Sequence, residues 1–114
     1  MLNLVRGTEF AEQVIFVQWF RRNQPTQIWH WPSGESRSRA AGAKIKALGG
    51  VRGVPDLFVP EWGLWIEMKR AGGTLSVHQK EKIAWLESVG YRTFVAYGAD
   101  DAQRKTVEFV DAKI

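Results

Sequence analysis

Cysteine is missing from the chain, so it can build neither a disulfide framework nor a thiolate zinc site. Histidine is scarce: His30 and His78 are the two present, and their spacing matches neither a zinc-binding pair nor a histidine-nuclease arrangement. No apolar run approaches the roughly 18–20 residues of a membrane span, and the N-terminus lacks the basic-then-apolar layout of a signal peptide. A G-x-x-x-x-G-K-[ST] phosphate loop and a G-x-S-x-G nucleophile turn are also absent, which removes the nucleotide cradle and the serine elbow. These absences lead to the expectation of a cytoplasmic protein with no membrane association and no nucleotide cofactor. Acid is the scarcer charge. Twelve acidic against sixteen basic residues give a net charge of +4, and the pI near 9.7 favours a polyanionic partner.

What is present suits one hydrophobic core. With 45% apolar residues in 114, the chain is expected to form a single domain over 1–114. Thr8 can cap a helix over residues 9–22, with Phe10, Val14, Val17 and Phe20 at helical spacing and Glu9 and Gln13 one turn apart. Glu9 is open to two readings, a solvated first-turn acid offsetting the helix dipole or a site residue, and Glu12 is the rival acid on this helix. Residues 23–39, punctuated by Pro25, Pro32 and Gly34, read as a long loop. Its Trp29, Trp31, Arg37 and Arg39 offer base-stacking faces and phosphate contacts, or the tryptophans cover the core.

A short helix over residues 40–48 carries Lys44 and Lys46 and ends at Gly49-Gly50. Two strands follow, Leu57-Phe58-Val59 and Leu64 to Lys69, joined by a turn at Glu61-Trp62-Gly63. Ser76 to Gln79 reads as a capping box opening a helix that ends at Gly90, and Gln79 begins its apolar stripe of Ile83, Leu86 and Val89. A strand over 92–97, a short helix from Asp100 to about Lys105 and a last strand over 107–110 complete an α/β sandwich on a mixed sheet.

The chemistry concentrates at Gly53-Val54-Pro55-Asp56 and Glu67-Met68-Lys69. A strand's period of two puts Trp65, Glu67 and Lys69 on one face and Leu64, Ile66 and Met68 on the other, and the hairpin brings Asp56 beside Glu67. Phosphodiester hydrolysis needs a cation to neutralise the phosphoryl group and a positioned, deprotonated water. Asp56, Glu67 and the Met68 carbonyl supply the oxygen ligands that magnesium prefers, and Lys69 can hold the water or stabilise developing charge. Glu9 offers a further acid, and Gln79 can orient Lys69 or the water. A lone Asp or Glu-x-Lys on an exposed strand is often only alternating charge, so it is the combination that points to a nuclease. A nucleic-acid-binding or assembly domain that does not cut remains the other reading.

Along nearly its whole length the chain resembles the VRR-NUC (virus-type replication-repair nuclease) family of the PD-(D/E)xK nuclease superfamily. The likeness is carried by Glu9 to Gln13, with Phe16 and Trp19 following, and by Pro32-Ser33-Gly34-Glu35-Ser36-Arg37, where Ser33 and Glu35 depart from the family's Pro-Asn-Gly-Gly-x-Arg. It continues through Ile45-Lys46, Gly49, Gly53 to Asp56, Ile66 to Lys69, Leu75-Ser76, Gln79 and Gly90-Tyr91. The resemblance implies a restriction-endonuclease-like α/β/α core with Asp56 and Glu67 on a metal, Mg2+ or Mn2+, and Lys69 as the catalytic lysine. Glu9 and Gln79 complete the implied site. It also implies a homodimer cutting branched DNA, of stand-alone phage or bacterial type, in a bacterial cell or phage-infected host. Arg37, Arg39, Lys44 and Arg52 are the expected DNA backbone contacts, because no base-reading motif is visible.

Overall fold

The computed structural model describes residues 3–32 and 39–113. They run in the order α1 (Glu9–Asn23), β1 (Trp29–His30), α2 (Arg39–Ala47), β2 (Leu57–Val59), β3 (Leu64–Lys69), α3 (Val77–Ser88), β4 (Arg92–Tyr97) and α4 (Ala99–Ala112). A 3-10 turn at Pro60–Trp62 joins β2 to β3. The strands form one sheet in the order β1-β2-β3-β4, antiparallel across the first two pairs and parallel across the third. Antiparallel neighbours close with a short turn, whereas the parallel β3–β4 pair needs a crossover, which α3 supplies. The mixed-sheet α/β fold expected from the sequence is the fold observed.

Strand β3 is central because both of its faces are covered. Leu64, Ile66 and Met68 enter a core made with Phe16 and Phe20 of α1 and Ala99 and Ala102 of α4. Each such large side chain taken fully out of water contributes about 1.5–3 kcal/mol. Trp65, Glu67 and Lys69 point to the opposite face, where α3 lies. Leu57 opposite Ile66 and Val59 opposite Leu64 fix the hairpin register, because a slip of one residue would exchange core and exposed faces.

Three expectations are corrected. The strand expected over 107–110 and the short helix before it are one helix, α4. Val107, Phe109 and Val110 have strand-forming side chains, but Ala102 and Thr106 continue a helical stripe that is buried, and this packing overrides local propensity. The long loop holds a two-residue strand, β1, with Trp29 opposite Phe58 and His30 opposite Leu57. Helix α1 is rotated relative to the expected stripe. Phe10 is 61% exposed, while Ala11, Glu12, Phe16 and Phe20 are buried.

That rotation is stabilised by Glu12. Its carboxylate accepts from the Ala99 amide at 3.0 Å and the Gly7 amide at 3.1 Å, and pairs with Arg6 at 2.8 Å. An acid from the first helix therefore caps the last one, where free amides and the positive end of the helix dipole favour negative charge. The Ala99 amide, then the Arg6 guanidinium, lower the Glu12 pKa to about 2.

Candidate active site

Each acid reaches the site from a different element. Glu9 lies in the first turn of α1, which begins there because the Thr8 hydroxyl accepts from the Ala11 amide at 3.2 Å. Asp56 immediately precedes β2, with Pro55 buried behind it. Its Oδ2 accepts from the Met68 amide at 3.0 Å, which locks the carboxylate onto the end of β3. Glu67 projects from β3 and is almost wholly buried. One carboxylate oxygen from each of Glu9, Asp56 and Glu67 lies within 4.8 Å of the others.

Electrostatically, this arrangement is under tension. Burial raises the Glu67 pKa well above the usual carboxylate range, and the Asp56 carboxylate beside it adds to the effect. The Glu9 carboxyl is also raised, first by partial loss of solvent; Asp56 adds to this and Lys69 opposes it. Lys69 likewise favours the charged form of Glu67. Glu67 Oε1 is buried and has no hydrogen-bond partner among the described residues. A buried unsatisfied oxygen is costly, and the residue that carries it stands close to two further carboxylates. A hard divalent cation with oxygen ligands fits this donor set.

Gln79 completes the capping box and also reaches Glu67. Its Oε1 accepts from the Ser76 amide at 2.8 Å while Ser76 Oγ accepts from the Gln79 amide, completing the capping box. Its Nε2 donates to Glu67 Oε2 at 3.5 Å. Met68 sends its side chain into the core. Because its N–H meets Asp56, strand geometry turns its carbonyl to the same side. Glu9, Asp56 and Glu67 are thus brought together, with Gln79 bonded to Glu67 and Lys69 near enough to act on Glu9 and Glu67 electrostatically. The proposed DNA contacts Arg39, Lys44 and Arg52 are exposed, and Arg37 lies outside the described residues.

Sequence reasoning missed His30. Its Nδ1 lies 3.0 Å from the Asp56 carbonyl and 3.1 Å from Gln13 Nε2. One ring nitrogen serves one of these at a time: protonated it donates to the carbonyl, unprotonated it accepts from the amide. The Trp31 amide also donates to the Asp56 carbonyl, at 2.6 Å. The spacing of Glu9 and Gln13 hinted at a shared neighbour. Only the pairing of β1 with β2 shows that His30 lies between Gln13 and Asp56.

An acid trio of exposed Glu9, half-buried Asp56 and buried Glu67 thus stands at a sheet end beside a lysine. A solved structure described as a VRR_NUC domain protein is similar to this chain with a TM-score of 0.75 and 27% identity, over 91% of this chain and 88% of that one. This likeness supports a nuclease-type fold, and with the motifs it makes the chain similar to the VRR-NUC family. No protein-family model and no curated protein matches the sequence.

Proposed function

We propose that this chain is a metal-dependent endonuclease hydrolysing phosphodiester bonds in branched DNA. The observation that carries the reading is the convergence of Glu9, Asp56 and Glu67 oxygens within 4.8 Å, with Glu67 Oε1 buried and unpartnered among the described residues. Asp56, Glu67 and the Met68 carbonyl, with Glu9, would hold Mg2+ or Mn2+. Such an ion, when bound, neutralises charge on the transferring phosphoryl group and acidifies a water. Lys69 positions the attacking water or offsets developing negative charge, and Gln79 holds the Glu67 carboxylate through Nε2.

Arg37, Arg39, Lys44 and Arg52 contact the DNA backbone in this proposal. The whole of 1–114 acts as one nuclease domain, paired in a cytoplasmic homodimer so that two centres address two strands. Cleavage of four-way junctions and flaps with and without Mg2+ or Mn2+ tests the chemistry. Wild type should cut only with metal, and Lys69→Ala and Glu67→Ala should lose cleavage by at least two orders of magnitude. Equal cleavage by all three proteins would trace the activity to a contaminant. A strict monomer by light scattering at working concentration would remove the two-centre form.

A further inference from the structure

Beside the acid cluster lies a cavity of about 390 Å³ lined by Trp31, Val51, Val54, Trp65, Lys82, Trp85 and Leu86. It adjoins the cluster along three elements at once. Val54 lies two residues before Asp56, Trp65 lies two residues before Glu67 on the same face of β3, and Lys82 lies nearly one turn after Gln79 on α3. At the strand rise, Trp65 and Glu67 are about 7 Å apart along β3. The Trp31 amide is bonded to the Asp56 carbonyl, so the cavity wall and the site are tied directly together.

The lining is aromatic and half-open. Trp31 is 48% exposed and Trp85 57% exposed, although both border a cavity. Phe58 stacks on Trp65 at 4.3 Å between centroids, and Trp31 meets the same ring edge-on at 6.2 Å. The Trp65 indole Nε1 is buried without an acceptor among the described residues. Indole N–H groups usually find a partner when buried. At the rim, the Lys82 ammonium sits 5.9 Å from the Trp85 ring centroid.

We propose that this cavity takes one unpaired nucleobase next to the scissile phosphate. The inference rests on the DNA-cleavage reading above. A nucleobase supplies what the lining lacks, a flat π-face for Trp31 and Trp85. The phosphate attached to it meets the Lys82 cation. A base inside a duplex is stacked on both sides and reaches such a cavity only by extrusion, which costs least when it is already unpaired. The cavity would thus make cleavage depend on an unpaired nucleotide at a fixed position from the cut, adding a base contact to backbone readout.

The test scans an abasic residue through the positions flanking the cut in a flap substrate. Wild type, Trp85→Ala and Trp85→Phe are compared for binding without Mg2+ and for single-turnover cleavage with it. One abasic position should weaken wild-type binding roughly 5- to 150-fold, the range expected of one base–aromatic stack. Trp85→Ala should lose a similar factor on the intact flap and little more on that abasic flap, while Trp85→Phe recovers most of the loss. A flat abasic scan with cleavage intact overturns the base pocket and leaves the nuclease reading standing. A flat scan in which Trp85→Ala also converts a dimer to a monomer assigns the cavity to a second copy of the chain. Absence of any DNA binding or cleavage by wild type removes both readings.

Discussion

Glu67 illustrates the conflict between stability and a charged site. Its carboxylate is buried, faces the Asp56 carboxylate and has one oxygen without a protein partner among the described residues. Folding at pH 8 without metal must either bury that charge beside Asp56 or take up a proton to neutralise it, and a neutral side chain of the same shape avoids both costs. Glu67→Gln is therefore expected to stabilise the metal-free protein at pH 8 by the order of 1 kcal/mol, a few degrees in Tm. The same change should abolish the further stabilisation that wild type gains from excess Mg2+. Thermal unfolding in chelator and in Mg2+ measures both effects. A lower midpoint for the variant in chelator would show that Glu67 is satisfied by the protein alone.

The elements are held in register around the site by two close contacts. Gly53 has φ +79°, and a Cβ there would stand 2.3 Å from the His78 carbonyl oxygen and 2.9 Å from the Gln79 amide nitrogen. The glycine thus lets the loop before Asp56 lie directly against the first turn of α3. Gly53→Ala should cost roughly 1–3 kcal/mol by denaturant unfolding and move Gln79 away from Glu67, lowering cleavage as well. Full stability and activity in this variant would show that the loop can shift freely.

The second contact is the Glu12 cap on α4. Because its pKa is lowered in the folded protein, its contribution is fully present above the unfolded value near 4.5 and is lost as pH falls toward about 2. Glu12→Gln should cost about 1–3 kcal/mol at pH 7 and flatten the stability curve between pH 4.5 and 2. An unchanged acid limb would assign acid unfolding to other carboxylates.

For the whole molecule, the relevant quantity is charge. The +4 balance and the exposed Arg39, Lys44 and Arg52 make salt-dependent binding the expected mode of DNA contact. Replacing all three with alanine should reduce the slope of log K against log salt by up to about 3 on duplex-containing substrates, without changing sequence preference. Binding isotherms between low and moderate salt check this. An unchanged slope would place the phosphate contacts elsewhere on the surface.

The local chemistry was legible in the chain. The period of two over Leu64 to Lys69, the capping box at Ser76 and the Asp56 and Glu67 spacing depend on neighbours a few residues apart, so sequence order alone determined them. The C-terminal helix was not legible, because Val107 to Val110 satisfies a strand pattern locally and only packing of the Ala102 and Thr106 face decides for the helix. Glu12 and Glu9 sit three residues apart with the same side chain. One caps α4 and the other joins Asp56 and Glu67, a division set by the rotation of α1 on the sheet. His30 meets Asp56 only because β1 pairs with β2. The cavity of Trp31, Trp65 and Trp85 draws on three segments far apart in sequence, and packing alone sets them around one space.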